Sequence, residues 1–301
     1  MLNGIINIYK EAGFTSHDVV AKMRGILGQK KIGHTGTLDP AAVGVLPVCL
    51  GKATKACELL TDKDKVYRCD MLLGTVTDTQ DTSGTVLSRQ EVNCTEAEVR
   101  EAILAFAGDY DQIPPMYSAL KVNGRKLCDL ARAGKEVERQ PRRVKIHDIA
   151  IERVELPRVT MTVSCSKGTY IRTLCHDIGG KLGCGACMEH LTRIRVADFK
   201  LEDSVTLGQL EEAVREGRAE NLILPVDKFF LRFPEAFVKA EFQKALENGN
   251  RIPAEGLLIK TDRKDVQEIR IYDSVGRFAG IYSYQNKEHD FKPVKIFLEK
   301  E

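Results

Sequence analysis

The stretch "GHTGTLDPAAVGVLPVCLGKATK" (residues 33–55) places a single acidic residue, Asp39, among four glycines, two prolines and small or apolar side chains. Pro40 follows, and a residue before proline is disfavoured in the helical region, so the backbone at Asp39 has little freedom. The glycines allow another backbone to come close. Taken alone, an aspartate here is typical of a turn, and we expect the stretch to be mostly loop. The alternative is a carboxylate held rigidly for chemistry.

The chain has 301 residues, more than a typical single domain, so we expect one large domain followed by a smaller one. Hydrophobic residues make up 43% of the sequence and charged residues 29%, which is typical of soluble globular proteins. No window approaches the roughly 20 apolar residues of a membrane span, and the N-terminus does not resemble a signal peptide. The nine cysteines, an odd number, favour reduced thiols over a disulfide framework, and we expect a cytoplasmic location.

Hydrophobic periodicity predicts alternating strands and helices up to residue 217. The predicted strands are residues 3–10, 65–74, 144–151, 159–166 and 192–199. The predicted helices are residues 15–28, 52–60, 95–108, 169–183 and 206–217. Thr15 or Ser16 is expected to cap the first helix, and Thr95 with Glu98 forms a capping box on the third, which Gly108 is expected to end. The polar residues between 75 and 86 are predicted to form a loop.

The composition changes near "FFLRFPEAF" (residues 229–237). Beyond it lie one short predicted helix and the apolar runs "GLLIK", "EIRIYD" with "GRFAGIYSY", and "VKIFLE". These runs predict a small β-rich module of roughly 65 residues, near the lower size limit for independent folding. We therefore expect a large domain at residues 1–230 and a small one at residues 231–301.

The segment from Lys121 to Lys145 is strongly basic, with nine Lys and Arg residues against three acids, in a chain whose total net charge is only +2. A charge run of this kind is usually a solvated face. This excess, however, is local and of one sign, and it adjoins a Pro-Pro loop that contains a tyrosine. An arm that binds a polyanion is therefore the second interpretation, because each phosphate contact releases counterions.

Three familiar catalytic patterns fail on this sequence. "GVLPVCLGKAT" is not a phosphate-binding Walker loop, because Leu46 stands where the first glycine must be and Ala53 where Ser or Thr must be. No second acid lies within the Asp39 stretch, so the paired carboxylates of most glycosidases have no local support. No G-x-S-x-G elbow anchors a serine hydrolase triad.

A possible metal-binding cluster occurs in "LCHDIGGKLGCGACMEH", which contains Cys175, His176, Cys184 and Cys187. Zn²⁺ accepts such ligands, but structural zinc sites usually combine two pairs at matching separation. Cys175 and His176 are adjacent on a predicted helix and point in different directions. We therefore interpret the cysteines as small buried thiols and predict no metal site.

Five segments, in the same order along the chain, resemble motifs of the TruB family of bacterial tRNA pseudouridine synthases. The stretch around Asp39 resembles the family signature, and "GIINIYKEAGFTSHDVV" resembles its K-P-x-G-x-T-S motif. "DKVYRCDMLLGTVTDTQDTSG" resembles its tyrosine strand and following loop, and "IPPMYSALKVNGRKLCDLARAG" its RNA-binding insertion. "CSKGTYIRTLCHDIGGKLGCGA" resembles its arginine motif. Two positions depart from the pattern: Glu11 replaces the usual proline, and Cys187 stands where histidine is common.

The resemblance implies a pseudouridine-synthase fold of the α+β class. This fold has a mixed, mainly antiparallel central sheet flanked by helices and loops, with an RNA-binding insertion at about residues 109–145. A small β-rich, PUA-like RNA-binding module is expected at the C-terminus. The implied reaction is isomerisation of uridine to pseudouridine at position 55, in the T-loop of tRNA, by base flipping and without a cofactor.

By position, the resemblance makes Asp39 the nucleophilic carboxylate and Arg172 the cation that pairs with it. Tyr67 matches the tyrosine that stacks on the flipped uracil and takes a proton. These residue types suit the chemistry, because an anion at a rigid turn can attack or stabilise a cationic sugar centre. Whether Asp39 adds to the ribose, attacks the base or begins by removing a proton stays open.

The resemblance also implies contacts around the pocket. His34 matches the residue that fills the gap left in the T-loop when bases flip out, and Lys10 and Leu191 match positions at the pocket floor and wall. The glycines near Asp39, which lack side chains, are then expected to leave clearance for an RNA backbone. Further RNA contacts are expected from Tyr170, Lys121, Arg125, Arg142 and Arg143.

The expected partner is the T-arm of tRNA, bound by a monomer without a membrane or an obligate protein partner. A second hypothesis is a tRNA-binding folding factor, an RNA chaperone whose catalytic activity is secondary. The substitution Asp39→Asn separates the two, because it removes the reactive carboxylate and leaves the basic segment intact.

Overall fold

A computed structural model describes residues 1–259 and 267–298 of the chain. The helices are α1 (Ser16–Leu27), α2 (Cys57–Thr61), α3 (Glu96–Leu104), α4 (Leu127–Arg132), α5 (Ile171–Leu182), α6 (Leu207–Arg215) and α7 (Gln243–Glu247). The strands of the first part are β1 (Gly4–Lys10), β2 (Ile32–His34), β3 (Val43–Leu50), β4 (Lys65–Leu73), β5 (Thr75–Thr77), β6 (Val86–Arg89), β7 (Gly108–Gln112), β8 (Lys121–Val122), β9 (Arg125–Lys126), β10 (Arg142–Glu155), β11 (Arg158–Cys165), β12 (Ala186–Val196) and β13 (Phe199–Lys200). The strands of the second part are β14 (Glu235–Val238), β15 (Ile252–Pro253), β16 (Leu257–Ile259), β17 (Glu268–Tyr272), β18 (Phe278–Gln285) and β19 (Asp290–Ile296).

Within the described residues the first sheet has nine strands, and its main path runs β1–β3–β12–β4–β11–β10–β7, with β2 beside β3 and β13 beside β12. The ladder between β3 and β12 is parallel, and the other ladders of this sheet are antiparallel. The predicted α+β class with a mixed, mainly antiparallel sheet is confirmed. β12 lies between β3 and β4, and Leu38 from the loop that precedes β3 packs in the same buried cluster as Tyr67 on β4.

Helices cover the sheet in two groups. α3 and α5 pack over β4 and β11, where Ile103 and Leu174 join Met71 and Met161 in one buried cluster. α1 and α6 pack over β1 and β3 in a second cluster. The alternate residues of β4 from Tyr67 to Leu73 form an apolar face that belongs to the first cluster. The base of the Asp39 site is thus a packed layer of helix on sheet.

Local capping signals placed the starts of α1 and α3 correctly, whereas the helix predicted at residues 52–60 begins at Cys57. Thr15 caps α1, and Thr95 and Glu98 form the predicted capping box of α3. The predicted end of α3 was wrong, because the helix stops at Leu104 and Gly108 begins β7 with a φ of 101°. A glycine with a positive φ marks a change of chain direction, but it does not indicate whether a helix ends or a strand begins there.

The expectation that residues 33–55 are mostly loop was wrong, because Val43–Leu50 is the fully hydrogen-bonded strand β3. Seven of its eight residues are buried. A strand covered on both faces has no polar alternation, so the sequence pattern does not distinguish it from an apolar loop. The predicted loop at 75–86 contains the short strand β5 and the first residue of β6, which pair as a hairpin.

The second sheet runs β15–β19–β18–β17–β14–β16 among the described residues, with α7 packed near it. A hydrophobic cluster joins it to the first part: Phe230 packs with Phe278 and Phe297, and the same cluster contains Val45 and Phe199. The division at residue 230 stays a prediction, and its position coincides with this shared cluster. Lys260 of "GLLIK" and Glu299 of "VKIFLE" lie outside the described residues. In the described ranges no helix combines the length and apolar character needed to cross a membrane.

Candidate active site

The loop between β2 and β3 carries Asp39 and is held by neighbouring segments. The Leu38 amide donates to Ser16 Oγ at 2.9 Å, and the Gly13 amide donates to the Pro40 carbonyl oxygen at 2.9 Å. The Leu38 side chain is buried in the main core. The backbone on both sides of Asp39 is therefore fixed by contacts with the start of α1 as well as by Pro40.

Arg172, in the first turn of α5, holds the Asp39 carboxylate. Its Nε lies 3.0 Å from Asp39 Oδ2, and its Nη1 lies 3.5 Å from Asp81 Oδ2. The two Nη atoms donate to the carbonyl oxygens of Thr79 and Tyr117, each at 2.9 Å. The Arg172 side chain is 5% exposed and the Asp39 side chain 39% exposed. A buried, fully bonded cation thus presents a carboxylate that is still accessible to a substrate.

Opposing electrostatic effects act on Asp39. Burial raises the pKa of Asp39 above its ordinary value, the positive charge of Arg172 lowers it, and the negative charge of Asp81 raises it further. Lys10 has a smaller lowering effect on the same pKa. The net direction is upward, so the carboxylate is more basic than an ordinary aspartate while a cation holds it in one orientation.

Lys10, at the end of β1, is completely buried. Its Nζ donates to the carbonyl oxygens of Phe14 at 2.6 Å, Glu11 at 3.1 Å and Pro40 at 3.1 Å. Burial lowers the pKa of Lys10 to about 8. Lys10 therefore joins the backbone of the Asp39 loop to the segment after β1, and Glu11 takes part through its carbonyl group rather than its side chain.

An apolar wall lies beside the carboxylate. Tyr67 on β4 and Leu191 on β12 are each 8% exposed, and both belong to the buried cluster that contains Leu38. Burial raises the pKa of the Tyr67 hydroxyl. A flat ring and a branched aliphatic chain next to a polar pair suit a planar ligand that carries polar groups on its edge.

Sequence reasoning missed two charged residues of this site, Arg193 and Asp81. Arg193 on β12 is 1% exposed, and its Nε donates to the Val45 carbonyl oxygen at 2.7 Å. One sequence signal could have indicated Arg193: side chains alternate along a strand, so Arg193 lies on the same face as Leu191. Asp81 lies in a polar loop that contains several acids and hydroxyls, and nothing in its spacing indicated which acid turns inward.

His34 and Tyr170 lie at other positions around the loop. The His34 ring packs edge-to-face on His17 at 5.1 Å between centroids, and its Nδ1 accepts from the Gly36 amide at 3.3 Å. Burial and the neighbouring His17 lower the pKa of His34. Tyr170 is the N-cap residue of α5, and its amide and carbonyl groups both bond to the Gln112 side chain. Both rings are partly exposed.

The basic residues named above are distributed over separate elements. Lys121 and Arg125 lie exposed on the β8–β9 hairpin, and Arg142 and Arg143 lie exposed at the start of β10. Arg143 forms ion pairs with Asp109 and Asp111, while Lys121, Arg125 and Arg142 form none with the described residues. The structure therefore brings Lys10, Tyr67, Arg172 and Leu191 around Asp39, and places the four basic residues on the surface.

The clearance provided by Gly44 serves the protein itself. A Cβ added at Gly44 would lie 2.3 Å from the Arg193 carbonyl oxygen, and Gly44 has a φ of 107°. The glycine thus allows β3 to approach β12 where the two strands run parallel. The expectation of clearance for an RNA backbone is wrong at this position.

The cysteines of the possible metal cluster are buried, as predicted. Cys175 packs against Cys69 of β4, and Cys184 Sγ lies 4.0 Å from Cys94 Sγ. Cys187 is also fully buried. Cys175 and Cys184 therefore have different thiol neighbours.

Comparison with known families decides the assignment. Residues 24–171 match the family described as TruB family pseudouridylate synthase (N terminal domain), and residues 172–230 match the tRNA pseudouridylate synthase B C-terminal domain. The chain belongs to the TruB family of pseudouridylate synthases. It is therefore an enzyme of the isomerase class. The matched regions include the loop with Asp39 and the helix with Arg172.

Similarity to members of the TruB family extends over almost the whole chain. The tRNA pseudouridine synthase B of Lachnoclostridium phytofermentans is 54% identical, over 99% of this chain and 100% of that protein. The tRNA pseudouridine synthase B of Alkaliphilus oremlandii is 45% identical, over 98% of this chain and 97% of that protein.

Two solved structures share the fold. A chain in a crystal structure of a Cbf5-Nop10-Gar1 complex has a TM-score of 0.74 and 28% identity, covering 99% of this chain and 85% of that one. A chain in an H/ACA RNP bound to a substrate RNA containing 2'-deoxyuridine has a TM-score of 0.73 and 26% identity, covering 99% of this chain and 86% of that one.

Proposed function

We propose that this enzyme isomerises uridine to pseudouridine in tRNA, at position 55 of the T-loop, with Asp39 as the reactive carboxylate and without a cofactor. The observation that carries the proposal is the accessible Asp39 carboxylate held 3.0 Å from the buried Arg172 guanidinium. The names of the relatives support tRNA as the substrate. A tRNA substrate also makes the cytoplasm the expected place of action.

The target base must leave the stacked loop before it can meet Asp39, because chemistry on a base requires access to its ring and sugar. The wall formed by Tyr67 and Leu191 supplies a flat apolar surface for the flipped uracil. Base–aromatic stacking contributes about 1–3 kcal/mol per base, which offsets part of the unstacking cost. We assign stacking to Tyr67 and lateral support to Leu191.

The reaction needs no redox partner, because its product is an isomer of its substrate. The N1–C1′ bond breaks, a C5–C1′ bond forms, C5 loses one proton and N1 gains one. A carboxylate beside the sugar stabilises the positive charge that develops at C1′ or bonds to that carbon. Three first steps fit Asp39: addition to the ribose, addition to the base, and removal of a proton.

RNA contact is assigned to the surface around the site. Lys121, Arg125 and Arg142 are exposed cations without ion pairs among the described residues, so they are available for phosphates. We infer that His34 and Tyr170 contact the opened T-loop at the rim of the pocket. We further infer that residues 231–301 form a small PUA-like RNA-binding domain beside a catalytic domain at residues 1–230, and that the enzyme acts as a monomer.

The test is conversion of a T-arm stem-loop RNA by the purified chain, with pseudouridine located by chemical labelling and mass spectrometry. The proposal requires modification of the target uridine alone, and no conversion by an Asp39→Asn variant that still binds the RNA. An unmodified target uridine with folded, RNA-binding protein would overturn the proposed activity. Modification of a different uridine would overturn the assignment of position 55.

The unpaired cations of the insertion also favour a role in folding tRNA. The Asp39→Asn variant separates this role from catalysis, because the substitution leaves Lys121, Arg125 and Arg142 in place. Restored folding of misfolded tRNA by Asp39→Asn, without pseudouridine, would support a folding function beside the catalytic one. Loss of both activities in that variant would count against it.

A further inference from the structure

We propose that Arg193 is a positioning residue that holds the Tyr67 hydroxyl as the proton acceptor of the isomerisation and fixes it relative to the Asp39 loop. The proposal rests on the reaction proposed above, in which C5 of the uracil must lose a proton. It gives a role to a buried cation outside the Asp39–Arg172 pair.

Strand register places the two side chains together. Tyr67 on β4 is the direct cross-strand partner of Arg193 on β12. Directly opposite residues project to the same face of a sheet, so both side chains point toward the layer that contains the Asp39 loop. The Arg193 guanidinium lies close enough to the Tyr67 hydroxyl to lower its pKa.

The Arg193 guanidinium also binds the backbone of the catalytic loop. Its Nη1 donates to the Thr37 carbonyl oxygen and its Nη2 to the Gly36 carbonyl oxygen, each at 3.4 Å. Its Nε donates to the Val45 carbonyl oxygen at 2.7 Å. One side chain therefore connects Tyr67 with the residues immediately before Asp39 and with the strand that follows it.

The charge of Arg193 is not balanced by a carboxylate. Among the described residues it forms no ion pair, and the groups that face it include the cations Lys10 and Lys65 and the partly buried His34. A buried charge without a counter-ion is costly, so Arg193 favours any state in which a neighbour becomes negative. The neighbour able to do so through a direct side-chain contact is Tyr67.

The groups that face Tyr67 act in opposite directions. Burial raises the pKa of its hydroxyl, Arg193 lowers it, and Cys165 and Asp39 raise it further, so that the net direction is upward. Without Arg193, the remaining effects all favour the neutral phenol. Arg193 is thus the group at this position that increases the fraction of phenolate.

The proton that leaves C5 is accepted by Tyr67, and no other co-reactant than water is required. After the C5–C1′ bond has formed, the C5–H bond breaks, its electron pair returns to the uracil ring and its proton goes to the Tyr67 phenolate oxygen. N1, released from the sugar, gains one proton, so the product has the composition of the substrate. Tyr67 then loses its extra proton to water and is ready for another turnover.

The experiment measures single-turnover pseudouridine formation on T-arm RNA, at saturating enzyme, as a function of pH. Arg193→Gln should lower the rate near neutral pH by about 100-fold, the lower end of what a positioned proton acceptor contributes. Because burial holds the pKa of the Tyr67 hydroxyl above its ordinary value, both rates should rise with pH while the loss stays constant at every pH below that pKa. Arg195→Gln is the matched control, because Arg195 lies exposed on the same strand and should leave the rate unchanged.

A more acidic phenol distinguishes proton transfer from structural support. Incorporation of a fluorinated tyrosine at position 67 should restore most of the rate of Arg193→Gln, because this phenol ionises more readily. A loss that fluorotyrosine does not restore would overturn the proposal and leave Arg193 as a support for the loop.

If Arg193→Gln does not fold, the test uses fluorotyrosine at position 67 in a chain that keeps Arg193, and compares its pH–rate profile with that of the unmodified chain. Its pH–rate profile should move to lower pH, and an unmoved profile would overturn the proposal. Failure of the proposed function is a different outcome, since the unmodified chain would then form no pseudouridine at all.

Discussion

The Asp39 carboxylate lies near both a buried cation and a second acid, Asp81. Burial and Asp81 raise its pKa, and Arg172 opposes them. Arg172 also makes two backbone hydrogen bonds, which fix the guanidinium whether or not Asp39 is ionised. The pair therefore holds in one orientation a carboxylate whose pKa is above that of an ordinary aspartate.

Replacing Arg172 with Met should lower the single-turnover rate by about 100-fold or more, because misplacement of a reacting group costs about that factor. The acid limb of the pH–rate profile should move to higher pH. Arg172 lowers the pKa of Asp39, so its removal raises that pKa, and the active carboxylate is lost at a higher pH. The measurement is the profile of each variant over the pH range in which circular dichroism shows it folded.

Arg172→Lys is the control for this prediction, because it keeps the positive charge while losing the guanidinium geometry. It should lower the rate with a smaller displacement of the acid limb. A limb that stays in place in Arg172→Met would contradict the assignment of the ionised Asp39 as the reactive group.

The N-terminus of α1 supports the Asp39 loop through one side chain. Ser16, the first residue of α1, is fully buried and accepts the Leu38 amide hydrogen bond at 2.9 Å. Thr15, its neighbour, instead caps the helix by accepting from the Asp18 amide. Two adjacent hydroxyls thus serve different structures, one the loop and the other the helix.

Ser16→Ala should destabilise the fold by about 1–3 kcal/mol, because the buried Leu38 amide loses its acceptor. It should also lower the rate, since Leu38 directly precedes Asp39. Thr15→Ala should cost about 1 kcal/mol through loss of the cap, without an effect on the rate. Denaturant unfolding and single-turnover kinetics on both variants check the difference, and equal kinetic effects would count against a specific role of Ser16 in the loop.

The alternation of β10 separates two adjacent arginines. Arg143 pairs with Asp109 at 3.2 Å and Asp111 at 3.0 Å on β7. Arg142 has no ion pair among the described residues, and its positive charge lowers the pKa of Tyr170. Successive strand residues point to opposite faces, so the two side chains cannot serve one surface.

Arg142→Gln should weaken binding of T-arm RNA and reduce the slope of log affinity against log salt by about one, the change expected for one lost phosphate contact. Arg143→Gln should have the smaller effect, because its charge is already shared with two carboxylates. The double variant should resemble Arg142→Gln. Fluorescence anisotropy at several salt concentrations measures the slopes, and a larger effect of Arg143→Gln would show that its ion pairs open on binding.

The two sheets share a hydrophobic cluster, so the second part of the chain is not attached by a bare linker. Phe230 is 7% exposed and packs with Phe233, Phe278 and Phe297. Across the same boundary Lys55 Nζ donates to the Ile296 carbonyl oxygen at 2.8 Å. These contacts fix the position of the second sheet relative to the first part of the chain.

Phe230→Ala should destabilise the chain by about 3–5 kcal/mol, the usual cost of removing a buried aromatic side chain. Because the cluster joins both parts, calorimetry should show the unfolding of the two sheets becoming separate. Leu231→Ala is the control, since Leu231 is 58% exposed and its loss should change stability by less than about 0.5 kcal/mol. A single, unshifted transition in Phe230→Ala would contradict the shared cluster.

Local patterns were sufficient for much of the secondary structure. The capping residues Thr15, Thr95 and Glu98 act within one turn of their helices, and the alternation around Tyr67 depends on near neighbours along the strand. Such signals survive in the sequence because the interacting groups are only a few residues apart. Family resemblance, rather than any local pattern, was needed to connect Asp39 with Tyr67 and Arg172.

Contacts between distant segments were decided only by the tertiary structure. β3 is a strand because β1, β2 and β12 supply its hydrogen bonds, and Gly44 is required because Arg193 lies against it. The same sheet order buries Arg193 next to Tyr67 and leaves Arg142 exposed, without an ion pair to any residue that the structure describes. Each outcome depends on register and burial between segments far apart in the chain, where a small change of register exchanges inward and outward side chains. The sequence by itself thus determined which groups are present and where the capped helices α1 and α3 begin, and the packed sheet determined which charges meet.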